Sequence, residues 1–422
     1  MNRLAQFLHY AQKVFALKTR LRAIGDRRPF AVVPTFPVVL SLVLGVILRI
    51  GSYLDLAQQT QRRRWRHLCG LKDPVGDDLF GYVAERLDLE DLRQQLVGTA
   101  KTLKQNKALE SCKINGLLFV SLDANEQFAS RSRCCPSCCQ RHIQVLEPDG
   151  QKREVIEYYH RYVFAQINGP KLNVVLDVEP IRPGEDECAA ALRLLGRVRR
   201  LYGPRFFDAI SADGWYAKGP FLRAVEKLGW SWVVVLKRED MDVYQEAQAL
   251  SQGQKPSLAF EDKERQREVQ LWEVKDLPFS DGYGQSVRVV RSEERWVENQ
   301  VRGGQKQSHP RSTQWVWAAS AQLDGYGASL IYHAGHRRWG IENKAFNELT
   351  QAYHLEHCYH HEPIAMLAQM LILVWGFTLF SAFAQLQSKL VILGKLTGKA
   401  LAKELDLALE ADLPWELWFH SG

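Results

Sequence analysis

The apolar run Leu117-Leu118-Phe119-Val120-Ser121-Leu122 is bounded by polar sequence on both sides. It predicts a strand buried on both faces, which delivers Asp123 to the rim of a sheet. Further strands are predicted at Tyr158–Ile167, Asn173–Val178, Phe207–Asp213 and Ser231–Lys237. Two helices separate the later ones. The first opens on Glu185-Asp186-Glu187, ends in Arg197, Arg199 and Arg200 and stops at Gly203-Pro204, with acids and bases placed as the helix dipole prefers. The second runs from about Pro220 to Leu228, before Gly229. The order strand, strand, strand, helix, strand, helix, strand is that of an α/β protein.

Between Lys237 and about Ser320 the pattern changes to short alternating runs, Val269–Val274, Ser286–Val290 and Gln314–Ala318, with Gly303–Ser308 as a turn or tip. Residues 1–110 read as helical, with an amphipathic recurrence through Leu79, Val83, Leu87 and Leu92. Ile341, Ala345, Phe346 and Leu349 recur with helical period and begin a helical tail that runs to Gly422. Two long apolar stretches need a place. Pro37–Leu48 is too short to cross a bilayer. Ile364–Phe383 is long enough, but Gln369, Thr378 and Ser381 interrupt it, and a helix apolar all round also suits the centre of a large protein. A core helix is the preferred reading, and a membrane anchor the alternative.

Composition narrows this only slightly. A chain of 422 residues with 46% hydrophobic and 24% charged positions is an ordinary globular protein with room for two or three domains. Its net charge of +7 leans toward a polyanionic partner. Eight cysteines, crowded at Cys134, Cys135, Cys138 and Cys139, fit reduced thiols or a metal site rather than a disulfide scaffold. The N-terminal segment is basic and mixed, and it predicts no export.

Three carboxylates stand out: Asp123 and Asp213 at strand ends, and Glu342 four residues after Arg338 on one helical face. Taken singly, each aspartate reads equally as a turn residue and Glu342 as the partner of Arg338. Together they could hold hard divalent cations, and a pair of such ions is suited to in-line attack on a phosphodiester. Asp177 and Glu179, on a middle strand, read as structural. Arg62-Arg63-Arg64-Trp65-Arg66 could hold phosphates and stack Trp65 on a base, or form a solvated face. Trp272, Trp296, Trp315 and Trp317, with Arg288, Arg291 and Arg295, either stack on extruded bases or fill the core of a small sheet. Cys135 and Cys138, with His357 and His361 taken as one helical turn apart, would complete a tetrahedral zinc site; free thiols with surface histidines, or a redox Cys-x-x-Cys, are the other readings.

In the surroundings of Asp123, in Ala212-Asp213-Gly214-Trp215-Tyr216 and in Arg338-Trp339-Gly340-Ile341-Glu342, the chain resembles the DDE-type insertion-sequence transposases, in particular the insertion-sequence-four type. The resemblance covers roughly Pro34 to Phe383. The third motif of that family runs Tyr, two residues, Arg, three residues, Glu, six residues, Lys. Here Gly335 stands at the Tyr position and Leu349 at the Lys position. The resemblance implies a ribonuclease-H-like catalytic core with a strand-rich insertion. Its divisions would be a helical DNA-binding domain over 1–110, the first part of the core over 111–238, a β-rich insertion over 239–322, and the catalytic helix and helical tail over 323–422.

It further implies that Asp123, Asp213 and Glu342 bind Mg2+, with Mn2+ able to substitute, and that Arg338, Trp339, Lys344 and Arg64 contact DNA. The implied activity is cleavage at element ends and strand transfer into target DNA. The implied partners are terminal inverted repeats, target DNA and a second copy of the chain, in a nucleoid-associated cytoplasmic setting without a membrane. The departures at Gly335 and Leu349 raise one alternative, a transposase-derived DNA-binding protein without catalysis.

Overall fold

The computed structural model describes residues 2–148, 150–279, 282–302 and 305–410. The chain divides into two compact units, one made of residues 1–111, 124–202 and 342–422, the other of 112–123 and 203–341. In chain order the strands are Phe119–Ser130 (β1), Cys139–Leu146 (β2), Lys152–Asn168 (β3), Asn173–Pro180 (β4), Ala209–Ala212 (β5), Ser231–Val235 (β6), Leu258–Asp262 (β7), Arg267–Pro278 (β8), Ser286–Arg302 (β9) and Gln305–Ser320 (β10). The first strand begins in the second unit and ends in the first, so it does not stop at Asp123 as the sequence predicts.

The first unit is built around the helix Pro363–Leu386. Glu362 caps it by accepting a hydrogen bond from the Ala365 amide at 2.8 Å, and Pro363 takes the first helical position, where no amide donor is needed. By length and composition this helix could cross a membrane, yet 94% of its most apolar window is buried within the protein. It packs on the helices Thr35–Ile47, Asp77–Ala84 and Leu89–Gln105 and on β4. Gly376 permits the closest of these approaches, because a Cβ there would lie 2.7 Å from Val46 Cγ1. Its polar side chains are satisfied in place: Trp375 Nε1 donates to Thr99 Oγ1 at 3.0 Å, and Gln369 Oε1 accepts from the Tyr53 hydroxyl at 3.2 Å. Trp65, read either as a base-stacking ring or as part of a solvated face, is fully buried, with its indole N–H directed to Ser41 Oγ. Its arginine neighbours mark a surface that the ring itself turns away from.

Strands β2, β3 and β4 form an antiparallel sheet in the same unit. The middle-strand carboxylates Asp177 and Glu179 are held from the helix Glu187–Tyr202 and its neighbour. Arg197 Nε lies 2.6 Å and Arg93 Nε 3.3 Å from Asp177, while Arg193 and Arg197 both pair with Glu179. Burial pushes the Asp177 carboxyl up, and the two guanidiniums oppose that rise without cancelling it. These acids are structural, as the sequence reading has it.

In the second unit β1, β5 and β6 are parallel, and β10, β9, β8 and β7 continue the sheet as antiparallel neighbours. The expected strand-rich insertion is therefore a set of long hairpins, joined by a helix at Asp242–Ser251 that the sequence reading missed. Gly303 and Gly304, read as part of a turn, lie outside the described residues. The helix Ala328–Arg338 lies flush on this sheet: a Cβ on Gly335 would come within 2.1 Å of Trp317 Nε1, so no side chain fits there. Trp317 is buried, Trp272 lies under the Arg291 guanidinium at 4.2 Å, and Trp296 under that of Arg267 at 4.1 Å.

The helix is tied to the sheet by a buried carboxylate. Glu294 accepts from His336 Nε2 at 2.7 Å and pairs with Arg265 at 2.9 Å and Arg267 at 2.6 Å. Burial works to raise its pKa, but the His336 hydrogen bond and the arginine charges outweigh it and bring the carboxyl down to about 2. Burial also lowers His336, so a neutral imidazole donates to Glu294 at neutral pH and the arginines carry the positive charge.

Two outcomes are expected. Asp177→Ala leaves buried guanidiniums without their carboxylate and should cost about 3–5 kcal/mol in urea unfolding; a loss below about 1 kcal/mol would remove the network from the core's essential contacts. Glu294, depressed in the fold, gives stability that is complete above its ordinary value of 4.5 and drains away as pH falls toward about 2. Melting temperatures of wild type and Glu294→Gln across that window should therefore converge as the pH drops, and parallel curves would contradict the assignment.

Candidate active site

The parallel pairing of β1 with β5 sets the geometry. Phe119, Val120 and Ser121 lie level with Ala209, Ile210 and Ser211. The Ser121 and Ser211 hydroxyls are 3.1 Å apart, which places both on one face of the sheet. The level pairing ends there, and Asp123 and Asp213 each stand two residues beyond it, Asp123 still on β1 and Asp213 just past β5 in extended conformation. Neighbouring strands run about 4.8 Å apart. Two carboxylates thus follow just beyond the last paired residues of the parallel strands.

Each has a cation beside it. Arg338, on the helix Ala328–Arg338, is 1% exposed, and its Nη1 lies 2.9 Å from Asp123 Oδ2. Asp213 opens the turn Gly214–Tyr216, where it accepts from the Trp215 amide at 2.8 Å, and Lys237 Nζ lies 3.1 Å from its second oxygen. Lys237 reaches it by lying across Gly214, where a Cβ would be 3.0 Å from Lys237 Cγ. Trp215 is 55% exposed, with the Lys218 ammonium 4.4 Å from the centre of its ring. Neither Lys237 nor Trp215 was assigned a role from sequence. The signals available were a lysine closing the strand next to Asp213 and a bulky aromatic two residues after it.

Arg338, expected to contact DNA, is buried and ion-paired with Asp123. Trp339 is half-buried and stands edge-on to Trp315, with ring centres 4.6 Å apart. Glu342 belongs to the first unit, where it is exposed. It lies on a π-helical turn, Ile341–Phe346, a local form that recurs at functional sites. The Lys344 side chain lies outside the described residues. Arg64 is half-buried on the helix Arg63–Cys69 of the first unit. The two signature departures are both packing positions: Gly335 is closed by Trp317, and Leu349 is buried in the first unit.

Together, Asp123 and Asp213 offer oxygen donors of the kind hard divalent cations prefer, flanked by fixed positive charge. Among the described residues a separate cluster joins Cys135, Cys138, His160 and His361. His160 takes the place expected for His357. Residues 354–362 form turns and bends rather than a helix, so His357 and His361 do not share a helical face, and the His357 ring packs instead on Tyr359.

Residues 170–379, just under half of the chain, match the family described as Transposase DDE domain. The span includes Asp213, Arg338 and Glu342, and Asp123 lies before it. No curated protein gives a significant match. Among solved structures, the chain is similar to the piggyBac transposase synaptic complex with hairpin DNA, at 13% identity and a TM-score of 0.44, over 97% of this chain and 80% of that one. A likeness that loose says nothing of site or activity. The family match supports a DDE-type transposase, with its transposase DDE domain at residues 170–379.

Proposed function

We propose that this protein cleaves DNA phosphodiester bonds at the ends of a mobile element and transfers the strands into target DNA, with Asp123, Asp213 and Glu342 as its catalytic carboxylates. The observation that carries the reading is the register of β1 against β5, whose last level residues, Ser121 and Ser211, each stand two positions before one of the aspartates. Support for a ribonuclease-H-like core comes from the order of elements, in which β3 and β4 are antiparallel and β5 and β6 run parallel with β1 around two helices. The Arg338-Trp339-Gly340-Ile341-Glu342 segment supports the insertion-sequence-four type, from which Gly335 and Leu349 depart.

The two aspartates fit Mg2+ or Mn2+, and Glu342 would supply the third carboxylate. Bound there, such ions make a nucleophile of water and stabilise the leaving oxygen. The protein's own side chains do the rest. Arg338 fixes Asp123 from behind, as a guanidinium locked by burial can. Lys237 holds Asp213 from the solvent side, where its exposed ammonium can also turn toward a phosphate. Trp215 and Lys218 beside the site present an aromatic face and a positive charge, the pair of features that suits nucleic acid. The partners are therefore inverted-repeat ends and target DNA, bound by a dimer of the chain in a nucleoid-associated, cytoplasmic setting.

Asp123→Ala, Asp213→Ala and Glu342→Ala should each lower Mg2+-dependent cleavage of a duplex carrying the inverted repeats that flank the gene by about 1,000-fold, the effect of removing several kcal/mol of metal-centred stabilisation. Binding of the same duplex in a gel shift should persist. Cleavage that survives any one of these changes rules out that residue's role. Binding without cleavage by the wild type would favour the non-catalytic alternative.

A further inference from the structure

Outside the carboxylate site, four side chains from three separate segments of the first unit converge on one point. Cys135 and Cys138 lie in the loop leading into β2, His160 on β3, and His361 just ahead of the helix Pro363–Leu386. Their ligand atoms all lie within 4.8 Å of one another. The two sulfurs are 3.7 Å apart, too far to be bonded. Cys138 Sγ lies 3.2 Å from His160 Nε2 and 3.4 Å from His361 Nε2, Cys135 Sγ lies 3.4 Å from His160 Nε2, and the two imidazole nitrogens are 3.3 Å apart.

Five of the six pairwise separations match one object. With zinc–sulfur bonds of about 2.3 Å and zinc–nitrogen bonds of about 2.0–2.1 Å, the corners of a tetrahedron lie about 3.8 Å apart for two sulfurs, about 3.5 Å for sulfur and nitrogen, and about 3.3 Å for two nitrogens. Hydrogen bonding does not account for so many lone pairs aimed at a common centre. The loop is also closed as a tight turn: the Cys135 amide points at Cys138 Sγ from 3.3 Å, and the Cys138 amide donates to the Cys135 carbonyl at 3.1 Å.

We infer that Cys135, Cys138, His160 and His361 form a structural Zn2+ site. Four protein ligands leave no position for water or substrate, which separates this site from catalysis. Cys138 and His361 are 223 residues apart in sequence, so the ion would join the β-sheet of the first unit to the start of its central helix. A clip closing so long a loop restricts the unfolded chain and makes metal binding part of folding. The inference is independent of the carboxylates and stands or falls apart from the proposed reaction.

The test is metal analysis of the full-length protein, purified with zinc in the medium and then desalted. About one zinc per chain is expected, falling at least about tenfold in Cys135→Ser and in His361→Ala, both at half-exposed positions, and holding in Cys134→Ser and His357→Ala. Zinc at the wild-type level in Cys135→Ser or His361→Ala overturns the site, as does a wild-type chain without zinc. Because a ligand variant could lose metal by failing to fold, cobalt(II) is added to metal-stripped wild type as a second measurement. Intense visible bands with thiolate-to-cobalt charge transfer support the four-ligand site, and the weak spectrum of octahedral cobalt contradicts it.

Discussion

The pairing of β1 with β5 is the constraint from which the candidate chemistry follows. Because side chains alternate strictly, a slip of one residue in that pairing would send one aspartate to the opposite face of the sheet. The register is held from both sides of the site. The Ser121 and Ser211 hydroxyls meet between the strands, and the apolar residues around them pack both faces. The aspartates are then oriented by residues arriving from elsewhere in the second unit, Arg338 from a helix and Lys237 from beyond β6.

Each unit also has its own device for fixing elements in place. In the first, an uncharged helix is surrounded by the other helices and a strand, and arginines on the helix Glu187–Tyr202 bind the carboxylates of β4. In the second, Glu294 gathers His336, Arg265 and Arg267 at the place where the helix bearing Arg338 meets the insertion strands. A buried carboxylate with three donors specifies one arrangement of these elements, because any other leaves charge unpaired in the interior. The insertion is thus a support for the helix that aims Arg338 at Asp123.

What was legible in the sequence follows the strength of local pattern. The strands before Asp123 and Asp213 are apolar runs that read as buried, and the core helix was legible as a helix although its apolar length alone also fitted a membrane span. The hairpin of β2 and the first half of β3 escapes the sequence reading because its residues mix polar and apolar types with no continuous apolar run, as two-sided solvent exposure allows. Trp65 was misjudged because four flanking arginines announce a surface, while the ring itself points inward. His160 was invisible as a metal ligand: nothing near it in sequence suggests one, and only the folding of β3 beside the cysteine loop brings it there. The ion pair of Arg338 with Asp123 likewise joins residues 215 apart in the chain.

The π-helical turn after Arg338 has a consequence for reading sequence motifs by distance. In an ordinary helix, positions seven apart return to almost the same azimuth. One surplus residue in a turn rotates everything downstream by about 100°. Leu349 therefore faces the interior although it stands seven places after the outward-facing Glu342. A lysine demanded there by fixed counting would have to be swallowed by the core of the first unit.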